Sequence, residues 1–137
     1  ALKLGATHAV DPAKSSSLQA RDITKGLGTD VSIEAVGINP TMDDCLASTR
    51  RGGRIVIAGS FQQPYSMNLL NLIVQEQSVL ATFGYVDEFA EARDLICSGE
   101  VDLAPLMSKT VPLDDLPNTF AEITADRNKY QKVLIRP

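Results

Sequence analysis

The chain has 137 residues, 44% of them hydrophobic and 22% charged, a balance typical of one globular domain with a core of its own. The net charge is −4 and only 13 residues are Lys or Arg, so we expect neither nucleic acid nor membrane as a partner. No apolar run approaches the roughly 20 residues of a spanning helix, and the first residues lack the pattern of a signal peptide. We therefore expect a cytoplasmic protein.

The cysteine and histidine content gives no support for a metal centre. Cys45 and Cys97 lie in separate segments with apolar periodicity, without a CxxC pair, and His8 is the single histidine. Two distant thiols and one imidazole do not make a zinc shell, so we predict buried thiols and no metal site.

Short β-branched runs alternate along the chain with segments of helical spacing. The opening ALKLGA (1–6) is typical of a last helical turn that ends at Gly5, and Asp11 and Pro12 precede a helix predicted near residues 15–26. The predicted strands are THAV (7–10), DVSIEAVG (30–37), GGRIVIAG (52–59), SVLATFGY (78–85) and KVLIRP (132–137). The other predicted helices are 39–51, 68–77, 86–99 and 114–126, with an extended, proline-interrupted segment at 101–113.

This order of elements predicts an α/β fold, a partial Rossmann-like parallel sheet with helices on both faces. Ligands of such sheets bind beyond the carboxyl ends of the strands. Three consecutive predicted strands end in small residues, in EAVG, IAGS and TFGY. Close approach of a ligand to the backbone would account for these glycines, and so would the ordinary turns between strands and helices.

The ordered segments resemble the medium-chain, zinc-dependent alcohol and polyol dehydrogenases, in the branch with sorbitol, butanediol and threonine dehydrogenases. LGATHAVDP resembles a passage from helix to strand in the coenzyme domain of that family. The segments that resemble the rest of that domain are DVSIEAVG, TRRGGRIVIAGSF, GYVDEFAEARDLICSGEVDLAPLMS and LPNTFAEITADRNKYQKVLIRP. The resemblance covers essentially the whole chain.

The resemblance implies that residues 1–137 form the C-terminal part of an NAD(P)-binding Rossmann domain, with a tail at 103–137 that returns toward the catalytic domain. The glycine-rich phosphate turn, the acid that holds the adenosine ribose and the zinc-ligand domain of the family have no counterpart in this sequence. We therefore expect the nicotinamide-coenzyme-binding portion of a zinc-dependent oxidoreductase of secondary alcohols or polyols. We expect this chain alone to bind NAD or NADP weakly or not at all. We also expect it to bind no zinc and to have no catalytic activity.

The same resemblance implies coenzyme-binding residues at three strand ends, and neither catalytic nor metal-binding residues. They are Ala35, Val36 and Gly37 beside the adenosine and ribose, Ala58, Gly59 and Ser60 beside the nicotinamide carboxamide, and Phe83, Gly84 and Tyr85 completing that contact. Glu34 is interpreted as structural rather than as a general base.

A homo-oligomer is expected through residues 68–85, because NLLNLIV is more apolar than one buried helix face requires, although a core helix would also explain it. Two other functions stay open. The chain could be a truncated dimerisation or binding module without catalysis, or a relative of the zinc-free quinone reductases.

Overall fold

The computed structural model describes residues 1–126 and 128–137. The chain divides into two compact units. Residues 10–84 make up the first, called here the three-strand unit, and residues 1–9 with 85–137 make up the second, the two-strand unit. Both contain parallel strands with helices, which confirms the predicted α/β class. The predicted tail at 103–137 includes Arg127, which lies outside the described residues.

The strands form one parallel sheet in each unit. The three-strand unit contains a sheet of order β1-β2-β3, and the two-strand unit contains β4 beside β5. Their bounds are β1 (Thr29–Glu34), β2 (Thr49–Ile57), β3 (Ser78–Ala81), β4 (Met107–Pro112) and β5 (Lys132–Arg136). Parallel neighbours need a crossover connection, which a helix provides between β1 and β2 and again between β2 and β3.

The five α-helices lie within the predicted helical segments and are shorter than predicted. Their bounds are α1 (Ser16–Ile23), α2 (Asn39–Ser48), α3 (Leu69–Val74), α4 (Glu88–Cys97) and α5 (Leu116–Ala125). The Asn68 side chain accepts the amide of Leu70 at 3.0 Å and so caps the start of α3. Gly99, with φ of 80°, follows the end of α4. Among the described residues, none of these helices has the length and apolar character needed to cross a membrane.

The fully buried core of the three-strand unit is small. Ile55 of β2 and Met42 of α2 are its fully buried hydrophobic side chains, and α2 packs against β1 and β2. Val111 of β4 is the buried hydrophobic residue of the two-strand unit. Packing of α2 against β1 and β2 therefore forms the buried core of the three-strand unit.

Several predicted elements differ from the observed ones. The strands predicted at 30–37 and 78–85 end earlier, at Glu34 and Ala81, and β4 lies within the segment predicted only as extended. Residues 7–10 form no strand, since no described strand pairs with them. The helix predicted at 39–51 ends at Ser48, and β2 already begins at Thr49. The pairing of β1 with β2 is irregular between Thr29 and Val31, where the RRGG segment bulges out of the ladder.

The predicted burial of the two thiols is wrong for Cys97, which is exposed, and holds only in part for Cys45, which is half-buried.

The arginines of the RRGG bulge form ion pairs with neighbouring loops and strands, Arg50 with Asp30 at 2.5 Å and Arg51 with Glu76 at 2.7 Å. All four charged side chains are substantially exposed, so these pairs contribute little stability.

Candidate functional site

The three strands of the first unit end at the same level. Glu34 pairs with Ile57, and Ile57 pairs with Ala81, so the last residues of β1, β2 and β3 stand side by side. The amide of Thr82 continues this ladder by donating to the Ile57 carbonyl at 3.0 Å. The loops that follow the strands therefore leave one edge of the sheet together, which is where parallel sheets bind their ligands.

Glu34, the last residue of β1, is buried with 1% of its surface exposed. Its carboxylate accepts hydrogen bonds from the amide of Val36 at 3.0 Å, the amide of Gly37 at 2.9 Å and the hydroxyl of Thr41 at 2.6 Å. Burial alone would raise the pKa of this carboxyl, but the three donors outweigh it and hold the pKa of Glu34 below its ordinary value. The carboxylate of Glu34 is therefore held in its ionised form by the loop that follows β1 and by the start of α2.

The backbone of Glu34 also holds the next loop. Its carbonyl oxygen accepts the amide of Ala58 at 2.7 Å and the amide of Gly59 at 2.9 Å. A Cβ built on Gly59 would overlap the Glu34 carboxylate and the backbone of Gly37, and a Cβ built on Gly37 would overlap the backbone of Ser60. Gly37 and Gly59 are thus required because the two loops interlock.

An open groove of about 480 Å³ lies over this pair of loops. Its volume falls in the range of small-molecule sites. Val36, Gly37 and Ser60 are the predicted site residues that line it. The other described lining residues are Ile38, Asn39, Pro40, Gln62 and Gln63. None of these lining residues carries a charged side chain.

The remaining predicted site residues lie around or away from this groove. Ala35 is exposed between Glu34 and Val36, and Ala58 and Gly59 contribute their amides to the interlocked backbone. Phe83 is fully exposed, and Gly84 has a φ of 64° with open space on its Cβ side. Tyr85 belongs to the two-strand unit, where its ring lies 5.7 Å from that of Phe89.

Zinc has no site among the described residues. No group of three or more His, Cys, Asp or Glu side chains there could hold a metal ion. His8 is exposed and bonded to Thr7 at 3.1 Å. The described residues therefore do not fit a zinc ion.

Sequence reasoning missed two polar residues that organise the unit. Thr41 stands at the third position of α2, where its hydroxyl reaches back to Glu34. Buried Gln77 donates from its amide to the carbonyls of Leu46 and Thr49 at 3.1 and 2.8 Å. The sequence signal for Thr41 is its spacing of seven residues from Glu34 across a glycine turn. Gln77 has no comparable signal, because its partners lie 31 and 28 residues away.

Comparisons with known proteins identify the family of the chain and agree with its α/β fold. The sequence model of a family described as zinc-binding dehydrogenase matches residues 1–98. Sorbitol dehydrogenase of Bacillus subtilis is 27% identical, over 100% of this chain and 39% of its own length. The crystal structure of 2R,3R-butanediol dehydrogenase from Bacillus subtilis matches with a TM-score of 0.81 at 26% identity, over 93% of this chain and 37% of that one. A Sinorhizobium meliloti structure bound to NADP shares the fold, with a TM-score of 0.84 at 24% identity, over 99% of this chain and 41% of that one.

The parallel α/β sheet, with its interlocked loops at the carboxyl ends of the strands, defines a Rossmann-like dehydrogenase fold. The chain belongs to the zinc-binding dehydrogenase family. It spans only 32% to 39% of the length of the first three curated relatives that it matches.

Proposed function

We propose that this chain is the nicotinamide-coenzyme-binding portion of a zinc-dependent oxidoreductase that acts on a secondary alcohol or polyol. When bound, NAD or NADP would supply hydride exchange with the alcohol carbon. The part of this chain is to hold and orient the coenzyme through the three loops after β1, β2 and β3. The zinc and its ligands would belong to residues outside this chain, and residues 103–137 would return toward that region.

The observation that carries the proposal is the uncharged groove over the loops 35–37 and 58–60. The amides of Val36, Gly37, Ala58 and Gly59 are already engaged by Glu34, so carbonyl oxygens and the Ser60 hydroxyl are left to recognise a carboxamide or ribose. Phe83 presents its whole ring to solvent at the end of β3, where it could pack on a coenzyme ring.

The test is a titration of the isotope-labelled chain with NADH and with NADPH, followed by amide chemical shifts. We expect shifts in residues 35–37, 58–60 and 83–84, with a weak Kd of about 1 mM, because the glycine-rich phosphate turn of the family has no counterpart in this sequence. Phe83→Ala should weaken binding without loss of stability, because this ring is fully exposed. Phe120→Ala, which removes an exposed ring from the two-strand unit, is the matched control and should bind as the unmodified chain does.

Two results would contradict the proposal. One is the absence of any shift in these loops at a coenzyme concentration of about 10 mM, ten times the expected Kd. The other is a set of shifts confined to the two-strand unit. Micromolar affinity would instead mean that determinants of binding lie elsewhere in this chain.

We also propose that residues 68–85 form a contact between subunits. Leu69, Leu70, Ile73 and Val74 are all exposed on the six-residue helix α3, and Leu80 is exposed on β3. Exposed apolar side chains concentrated in one short segment are typical of surfaces that bind another protein.

A second candidate function follows from the same surface. A dimerisation or binding module without catalysis would need this contact and would need no coenzyme. The titration separates the two functions, since such a module would assemble through residues 68–85 and leave the loops at 35–37 and 58–60 unperturbed by NADH.

A further inference from the structure

Glu34 connects the two loops that line the groove through two different parts of one residue. Its side chain binds the first loop, at the amides of Val36 and Gly37, and its main-chain carbonyl binds the second loop, at the amides of Ala58 and Gly59. We propose that Glu34 is a positioning residue, which holds both loops as one rigid face for the coenzyme. The coenzyme as the ligand of this face rests on the proposed function. The positioning of the two loops rests on the hydrogen bonds of Glu34 alone.

The chemistry of the acceptor explains why a carboxylate stands here. Oε1 accepts from the amides of Val36 and Gly37 and from the Thr41 hydroxyl, and Oε2 accepts from Gly37 at 3.1 Å. A group that meets donors on both oxygens must be acceptor-only, and an ionised carboxylate satisfies this condition. A glutamine would place its NH₂ group against at least one of these donors.

Thr41 connects helix α2 to the same Glu34 carboxylate. Its hydroxyl lies 2.6 Å from the Glu34 carboxylate and 2.8 Å from the carbonyl of Ile38. The shorter contact is to the charged acceptor, which binds the proton more strongly. The first turn of α2, the loop 35–37 and the end of β1 are thereby fixed to one carboxylate.

The close packing of Gly37 and Gly59 couples the position of the Glu34 carboxylate to the position of the second loop. Gly59 leaves no room for a side chain beside the Glu34 carboxylate, and Gly37 leaves none beside Ser60. If the Glu34 carboxylate moved, the backbone of Gly59 would lose its packing contact with that carboxylate. Two loops 20 or more residues apart in sequence are therefore set by one side chain.

The test compares Glu34→Gln, Thr41→Val and Thr41→Ser by amide chemical shift and hydrogen exchange in the full chain without ligand. Glu34→Gln and Thr41→Val should shift the amides of Val36 and Gly37 and speed their exchange by about tenfold, whereas Thr41→Ser retains the hydroxyl and should behave as the unmodified chain. Glu34→Gln should also speed exchange at Gly59. Asp44→Asn, which neutralises a carboxylate of the same helix without a bond to the loops, is the control and should change neither loop.

Unchanged shifts and exchange at Val36 and Gly37 in both Glu34→Gln and Thr41→Val would overturn the proposal. If Glu34→Gln does not fold, the Thr41→Val and Thr41→Ser pair decides, and equal effects of the two would also overturn it. Titration of the same variants with NADH tests the ligand separately, and we expect Glu34→Gln to weaken binding by about fivefold. If coenzyme shifts no loop amide of the unmodified chain while the variants loosen the loops, the positioning role stands and the proposed function is wrong.

Discussion

The hydroxyl of Tyr130 donates a 2.5 Å hydrogen bond to the carboxylate of Glu122. Two lysines surround the same pair. Lys109 lies 3.3 Å from Glu122 Oε2 and 5.5 Å from the centre of the Tyr130 ring, and Lys129 lies 3.3 and 5.0 Å from the same two groups. Bonds from Tyr130, Lys109 and Lys129 lower the pKa of Glu122 from 4.5 to about 2.

Tyr130→Phe should therefore raise the pKa of Glu122 back toward 4.5, as measured by a carbon NMR titration of its carboxyl group. A lowered pKa stabilises the fold fully above 4.5, and this contribution is lost as the pH falls from 4.5 through about 2. The variant should thus be less stable than the unmodified chain at pH 7, and the difference should vanish near pH 2. Tyr85→Phe, which alters an exposed ring of the same unit, should leave the titration unchanged, and an unaltered Glu122 in Tyr130→Phe would refute this account.

Gln77 offers a test of a buried polar contact. Gln77→Leu removes the amide that bonds the carbonyls of Leu46 and Thr49, and leaves both acceptors without that donor. Urea denaturation should show a loss of about 1–3 kcal/mol in the free energy of unfolding. Gln62→Leu alters an exposed glutamine and should stay within about 0.5 kcal/mol, so equal effects of the two substitutions would contradict the role of Gln77.

Alanine substitutions at two glycines can distinguish the loss of stability caused by steric overlap from the loss caused by a left-handed backbone conformation. Gly59→Ala places a Cβ against Glu34 and Gly37, and we expect it to destabilise the fold by about 3 kcal/mol or more. Gly26→Ala places a Cβ in open space at a φ of 87°, so only the left-handed backbone penalises it, by about 1–2 kcal/mol. Thermal and urea unfolding of the two variants should preserve this order, and the reverse order would show that the loops can separate cheaply.

The apolar surface at residues 68–85 gives a prediction on assembly. Sedimentation velocity should show a dimer or larger species at high micromolar concentration, and the double variant Leu70→Lys with Ile73→Lys should be monomeric. Leu18→Lys changes a leucine that is 64% exposed, nearly equal to the 65% of Leu70, and should leave assembly intact. A monomeric unmodified chain would show that these side chains face solvent.

The order of strands and helices could be predicted from sequence because it depends on local periodicity. Gly99 and Asn68 mark helix ends through their own backbone preferences, and both predicted boundaries lie close to the observed ones. The start of β2 could not be predicted in the same way. Thr49 to Gly53 have no apolar alternation; Thr49 joins the strand by pairing with Thr29 of β1, and residues 50–53 form the bulge before the pairing resumes at Arg54.

The candidate site also has a part that local sequence predicts and a part that depends on contacts between distant residues. Small residues at the ends of three strands indicated a shared edge, since parallel strands bring their carboxyl ends together. The reason for Gly59 needed the structure, because its neighbour in space is the carboxylate of Glu34, 25 positions earlier in the chain. A polar residue inside a strand gives no sign in the sequence of which amides it will bind.

The level alignment of Glu34, Ile57 and Ala81 has a consequence for how this region tolerates insertions. An extra residue in the turn between α1 and β1, beside Gly26, where a Cβ would meet open space, could bulge into solvent and leave the ends of the strands in place. An extra residue within β2 after the bulge would advance Gly59 by one step and reverse the faces of the side chains beyond it. Length variation should therefore be tolerated at the amino-terminal edge of this sheet and be poorly tolerated between Ile55 and Ser60.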